Sequence, residues 1–499
     1  MILQRLESAM INVMESLIPF ENFNGGRLQS AGLLLGMGNH LYDSRKKEKI
    51  FLSNQDRLKH MYILGATGSG KTKLIEFLIR QDILAGRGFC LLDAHGDLCN
   101  NILQYLAALA VDQDSFSFLE DLSEKLIVIE PFNQQRVVGF NPLEVKRYSS
   151  FAQTAELMSI FKKVWEDAHW GPRMEELLRN TFITLSENGL TLLEAPRLLT
   201  DPAFREIMIQ GLKQGAARDY WLTRYHLLSD KMQAAYREPV LNRMSVFIGD
   251  PGMRLMLGQS KSTLDFRQIM DRGKWLIINL SKGQLRENAY LLGSLFIAKL
   301  KLAAMTRAEL PEKKRTPFYV FIDEFQNYLG EDFETILSEA RKYGLGLTLA
   351  HQNLDQIDRK LQASILGNVA TQIIFRLSHH DASQISREMD ERARPMIEKG
   401  LIDFKVGQAY AKLRGEKPRM LRTIHVSEII KNSRSIQVIK DISFANYTRS
   451  KRAVEEEIEK RRMAFSSRPG LMDIFLPRQR TARPRVAPMR EAPEGWHGW

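Results

Sequence analysis

The octapeptide Gly65-Ala66-Thr67-Gly68-Ser69-Gly70-Lys71-Thr72 sets the tightest limit on what this chain can fold into. It fits the pattern GxxxxGK[ST]. The apolar run 61–64 precedes it, and residues 72–84, with apolar side chains at helical spacing, follow it up to Gly86. Each position has a physical reason. Gly68 and Gly70 let the backbone curl so that N–H groups converge on an anion. The following helix turns its positive end to the same point. Lys71 supplies a point charge for the β- and γ-phosphates, and Thr72 offers a hydroxyl to Mg²⁺. Gly65, Ala66, Thr67 and Ser69 complete the cradle. ATP and Mg²⁺ are the expected ligands. A chance glycine turn is the competing reading, and strand, helix, Lys and Thr in one place argue against it.

A second motif supports the first. The apolar run 318–322 ends in Asp323-Glu324. Two adjacent acids at the end of a buried strand are costly unless a cation or water uses them. Asp323 is expected to hold Mg²⁺ through water, and Glu324 to polarise the water that attacks the γ-phosphate. An acidic helix start is the bland alternative. A helix over 333–343, closed by Gly344, then leads into the strand 345–350 and His351-Gln352. In P-loop proteins with a catalytic glutamate, such a strand lies between the P-loop strand and the acid-bearing strand. Gln352, with a donor and an acceptor, can then sense phosphate and water together. Arg341 and Lys342 close the helix, where cations are favourable in any case. The functional reading makes Arg341 an arginine finger. With one P-loop in the chain, a finger must come from another subunit, which implies a ring. Asp93-Ala94-His95-Gly96-Asp97 follows the strand 88–92. An Asx-type turn with a helix cap explains it as well as a ligand site does.

Strand patterns recur at 125–129, 275–280, 372–375 and 408–412, with helical patterns between most of them. This predicts an α/β fold with a mainly parallel sheet. Residues 150–260 show helical periodicity and almost no strand signal, so an all-helical insertion is expected; Thr200-Asp201-Pro202 reads as one of its helix starts. The chain divides accordingly: 1–50, an N-terminal amphipathic helix and small β region; 51–142, the first half of the core; 143–262, the insertion; 263–432, the second half; 433–499, a charged helix and a basic Pro/Arg-rich tail, disordered beyond residue 466. The 71 Lys+Arg outnumber the 59 Asp+Glu for a net charge of +12, which favours a polyanionic partner such as DNA. Two cysteines, Cys90 and Cys99, form no disulfide framework and suit a reducing cytoplasm. The most apolar stretch, 291–305, carries Lys299 and Lys301 and falls short of the roughly 20 residues of a membrane span.

Together GATGSGKT, DAHGDL, VFIDEFQNY and ILSEARKYGLGLTLAHQ, with WLIINLSKG and GNVATQIIFRLS, resemble the HerA/FtsK superfamily of pumping ATPases. The resemblance is nearest to the soluble motor domain of type IV secretion coupling proteins and covers residues 30–455. It implies a RecA-like core, a ring, usually a hexamer, and ATP-driven movement of DNA, single- or double-stranded, through a central channel. It also places Lys71, Thr72, Asp323, Glu324, Gln352 and Arg341 on the family's nucleotide-site positions. Two features depart from the pattern. Coupling proteins commonly begin with membrane-spanning helices, and none is evident here. Ala94 stands where the DPHGDL phrase has proline. The expectation is therefore a cytoplasmic motor, held at the inner face of the membrane through secretion or DNA-processing partners. Two other readings stay open: a secretion ATPase that moves or remodels protein, and an ATP-dependent docking switch.

Overall fold

A computed structural model describes residues 32–40, 43–112, 115–165, 170–328, 333–429 and 432–466. The amphipathic helix expected over the first 20 residues and the basic tail beyond 466 lie outside the described residues.

Seven apolar segments make a parallel sheet because each is buried on both faces and reads as a continuous hydrophobic run. They are β3 (Met61–Leu64), β4 (Phe89–Asp93), β5 (Leu126–Ile129), β7 (Trp275–Asn279), β8 (Phe318–Asp323), β9 (Leu345–His351) and β10 (Thr371–Ile374). Their spatial order is β10-β3-β9-β8-β4-β7-β5, every adjacent pair parallel. Alternate residues point to opposite faces, as the period of two requires. Ile63, Leu91, Ile277, Phe321 and Ile373 meet one core layer, which includes the inner face of the helix Lys71–Leu84. Leu64, Leu92, Ile278, Ile322 and Ile374 meet the other, which continues into the helix Asn288–Met305 and the insertion.

Beyond β10 the sheet turns antiparallel. It continues through β11 (Gln408–Leu413), β12 (Arg419–Arg422), β1 (Leu33–His40) and β2 (Asp43–Leu52), which completes eleven strands. β2 is the edge strand on this side of the sheet.

The insertion lies between β6 (Arg136–Val138) and β7, and all its regular elements are helical. The Thr200-Asp201-Pro202 signal starts a helix: the Asp201 carboxylate accepts from Ala203 N and Phe204 N, and Pro202 takes the first helical position. Helix Ser433–Tyr447 then returns to the core, where Ser443 Oγ accepts from Val128 N at 2.8 Å. β13 (Thr448–Ser450) pairs with β6, and helix Lys451–Ser466 lies along the insertion. There Arg461 donates to Gly258 O at 2.6 Å and to Glu194 at 2.8 Å. The charged C-terminal helices therefore strap core and insertion together, a role their composition did not reveal.

Two expectations change in detail. The helix over 333–343 is an α-helix only from Phe333 to Glu339, then a 3₁₀ turn over Ala340–Tyr343 closed by Gly344 at φ +74°. Among the described residues one helical stretch, Asn288–Glu309, is long and apolar enough to cross a membrane, but 83% of its apolar 18-residue window is buried inside the fold. It is a core helix, with Lys301 paired to Glu156 and Lys299 bonded to Tyr148.

Candidate nucleotide-binding and hydrolysis site

β9 lies between β3 and β8, with His351 opposite Leu64 and Ala350 opposite Asp323. Parallel strands in register end at one edge. The loop after β3, Gln352 after β9 and Glu324 after β8 are therefore neighbours, at the edge where ligands bind in open α/β sheets.

The loop of residues 65–72 is held from the β10 side. Ala66 N donates to Arg376 O at 2.8 Å, and Gly407 N donates to Ser69 O at 2.9 Å. Two glycines are required for different reasons. At Gly65 a Cβ would lie 2.5 Å from Phe375 Cβ, so no side chain fits. At Gly68 there is open space, but φ is +73°, a conformation that side chains disfavour. Lys71 begins the helix Lys71–Leu84 and is buried; its ammonium donates to Gly65 O and, at 3.3 Å, to Ala66 O. Burial lowers its pKa, opposed by the carboxylates of Glu324 and Asp323. The ammonium thus caps the loop's own carbonyls, where phosphate oxygens would compete for it. Thr72 is the next residue of the same helix turn.

The acid pair is buried, each residue 5% exposed. Burial, then the charges of Glu324 and Asp93, push the Asp323 carboxyl up to about 6, with Lys71 and His95 opposing. A cation beside it would remove that penalty, so the donor set of Asp323 and Thr72 fits Mg²⁺. Among the described residues no group of three His, Cys, Asp or Glu side chains could hold a metal on its own. Mg²⁺ is commonly bound through one or two carboxylates with phosphate and water completing its shell.

Glu324 sits at φ +51°, a left-handed conformation uncommon for a residue with a side chain. Its backbone N donates to Asp323 Oδ1 at 3.1 Å. Both carboxylate oxygens accept: Oε1 from Gln352 Nε2 at 2.6 Å and Oε2 from Gln326 Nε2 at 2.7 Å. Gln352 Oε1 accepts in turn from Thr67 Oγ1 at 2.7 Å. A relay runs from the P-loop through Gln352 to Glu324. It orients a carboxylate that could take a proton, and any shift of the P-loop reaches that carboxylate through one side chain. Backbone strain of this kind persists where surrounding bonds over-determine it.

The remaining residues of these motifs fall as follows. His351, to which the sequence assigns no role, does not face the ligand edge. It is fully buried against Tyr62 and Phe325, with its Nε2 2.5 Å from the Tyr62 hydroxyl; burial, and to a lesser extent Lys71, push its pKa down to about 3. The Asp93 carboxylate accepts from His95 N and from Cys99 N, both at 2.9 Å, so it forms the Asx-type turn and caps the following helix. Arg341 is not brought to this site. It precedes β9, whose seven residues at about 3.3 Å each leave ~20 Å to the P-loop edge. Its side chain is exposed and makes no hydrogen bond or ion pair among the described residues. Sequence reasoning missed Thr67 as a partner of Gln352, Gln326 as a partner of Glu324, and Phe375 as the wedge under Gly65. None carries a local signal; each acts through a contact between distant segments.

Residues 47–393 match the family described as the type IV secretion-system coupling protein DNA-binding domain. No curated protein sequence matches the chain. In fold it is similar to the bacterial conjugative coupling protein TrwBdeltaN70, with 16% identity over 81% of this chain and 92% of that one and a TM-score of 0.54. It is likewise similar to plasmid coupling protein TrwB in complex with ADP and Mg²⁺, with 16% identity over 81% and 98% of the chains and a TM-score of 0.53. VirB4 of Thermoanaerobacter pseudethanolicus aligns at 12% identity over 82% and 98%, with a TM-score of 0.52.

Proposed function

The chain belongs to the family of type IV secretion-system coupling protein DNA-binding domains, and from that membership we propose that it is an ATP-driven DNA translocase of the conjugative, type IV secretion kind. The observation that carries the catalytic half of this reading is the Thr67–Gln352–Glu324 relay. It joins a phosphate cradle to a carboxylate oriented to act as a base, which supports hydrolysis over binding alone. The P-loop amides and Lys71 hold the phosphates. Thr72 and Asp323 would hold Mg²⁺, which would neutralise charge developing on the phosphate oxygens. Glu324 takes a proton from the attacking water as its oxygen bonds to the γ-phosphorus. The bond to the β–γ bridging oxygen breaks, leaving ADP and inorganic phosphate. Gln352 orients Glu324 towards the attacking water and couples it to the P-loop through Thr67.

The polymer half rests on the family and on the +12 net charge, which favours a phosphate backbone. The TrwB structure with ADP and Mg²⁺ supports the same ligands here. We further place the protein on the cytoplasmic side of the membrane, as a ring in which Arg341 of one subunit serves the next. The experiment is ATPase activity with no polymer, single-stranded DNA, duplex DNA and an unfolded polypeptide. Stimulation by DNA alone is expected. Stimulation by polypeptide and not by DNA would replace this reading with a protein-secretion motor.

A further inference from the structure

The phrase WLIINLSKG is left unused by the hydrolysis site. Its strand, β7, ends in Asn279, and residues 280–287 then run along the P-loop edge of the sheet before the helix Asn288–Met305. This segment is fastened to the turn after β4. Leu280 N donates to Asp93 O at 2.9 Å and Lys282 N to Ala94 O at 3.0 Å. The Asn279 side chain accepts from Ser281 N at 3.1 Å and fills the space beside Gly96, where a Cβ would lie 2.8 Å from its Oδ1. Asp93 also ends β4, which pairs in parallel with β8 and has Leu92 opposite Ile322, so it stands beside Asp323 at the strand ends. The segment is thus one residue removed from the metal-binding acid.

It carries two cations, Lys282 and Arg286, with the exposed carboxylate of Glu287 at its end. Gly283, Gln284 and Arg286 are exposed. Lys282 is held with its ammonium 4.7 Å from the Tyr290 ring centroid. Neither cation meets a carboxylate among the described residues. Arg286 adopts φ +53° with ψ −130°, where side chains are disfavoured, and its N–H closes a turn to Lys282 O at 2.8 Å. The strained residue is the one that presents the second charge.

We propose that residues 281–286 grip the DNA backbone, and that the turn after β4 transmits the state of the nucleotide site to that grip. This rests on the DNA-motor reading and deepens it. Two cations and a glycine backbone, with no row of amide side chains to read base edges, suit phosphates and imply little sequence preference. Movement of Asp93 as the charge around Asp323 changes is passed through Leu280 and Lys282 to both cations.

The test uses the full chain and a duplex oligonucleotide. In Lys282→Ala/Arg286→Gly, glycine keeps the backbone conformation and both charges are gone. The DNA-dependent increment in ATPase should fall at least fivefold, and the slope of log affinity against log salt should become shallower by about 2, near 0.9 per lost phosphate contact. Arg286→Lys, which keeps the charge, should retain most of the increment. Asn279→Ala leaves both cations in place, so it should keep the salt slope and lose part of the increment. An unchanged slope and increment in the double variant, with a wild type that responds to DNA, would overturn the loop assignment alone. Loss of the DNA-free ATPase rate would assign the segment to the nucleotide site and also overturn it. A wild type that neither binds nor responds to DNA would sink the motor reading, and this proposal with it.

Discussion

Two buried carboxylates at the end of β8 have opposite needs, and substitutions should separate them. Glu324 is oriented by two amides, so replacing its acceptor by an amide leaves the nucleotide pocket in place and removes the base. Glu324→Gln should bind ATP and lose turnover by about 10²–10⁴-fold, the usual worth of a positioned base; equilibrium nucleotide binding beside single-turnover hydrolysis checks both halves. Asp323 is a stability cost as it stands. Its carboxyl is raised from 3.8 to about 6, so the folded protein binds more protons than the unfolded chain between those pH values. Folded stability from this group is therefore present at low pH and lost as pH rises through 6. Asp323→Asn should raise the melting free energy of the nucleotide-free protein at pH 8 by about 1–3 kcal/mol while abolishing Mg²⁺-dependent hydrolysis. The gain over wild type should vanish below pH 4, and a thermal melt across pH reads it directly. An Asp323→Asn protein less stable than wild type at pH 8 would mean the carboxylate is already paid for by partners within the chain.

The elements that position the site were legible to different degrees, and the reason is range. The strand, turn and helix around residues 65–72 are legible because they are contiguous and their signals are local. The acid pair was read from a continuous apolar run that ends abruptly in two carboxylates. β12 was missed because Arg-Met-Leu-Arg has no apolar run, and it is stabilised as a strand by pairing with β1 and β11. β6 and β13 are three residues each and exist because they pair with one another across more than three hundred residues. His60 is a further case: nothing around it in the sequence marks it, yet it ties β9 to the helix Phe333–Glu339. Its Nδ1 accepts from Leu347 N at 3.0 Å, so its Nε2 carries the proton and donates to Leu337 O, also at 3.0 Å. Burial pushes its pKa from 6.5 down to about 4, so stability from this group is lost as pH falls through 6.5 towards 4, the reverse of Asp323. His60→Ala leaves a buried donor and a buried acceptor unmet and should cost about 2–4 kcal/mol. It should also flatten the acid limb of the stability profile, and chemical denaturation at pH 7 and pH 5 measures both effects.

At the scale of the molecule, the question is where the arginine goes. Arg341 stands at the far edge of the sheet from its own P-loop, with the length of β9 between them. Its backbone is fixed from several sides: Gly344 N donates to Arg341 O, Arg315 to Lys342 O, and Arg307 to Tyr343 O at 3.1 Å. Arg307 is itself fully buried and paired with Asp271 at 2.9 Å. A 3₁₀ turn braced by two arginines is a rigid mount for an exposed side chain, and rigidity matters where a guanidinium must meet a phosphoryl group at a defined distance. The same bracing prevents Arg341 from swinging to its own site. If it serves catalysis, it serves a neighbour. Arg341→Ala and Lys71→Ala should each be inactive as uniform assemblies. Mixed, they form some interfaces that join an intact P-loop to an intact arginine, and a fraction of the ATPase rate should return, rising and falling with the mixing ratio. Arg341→Lys should restore little in the same mixture, because a point charge cannot spread two donors over the transferring oxygens. No recovery in assemblies proven to be mixed would reduce Arg341 to a cation at a helix end. Full activity of Arg341→Ala alone would do so at once.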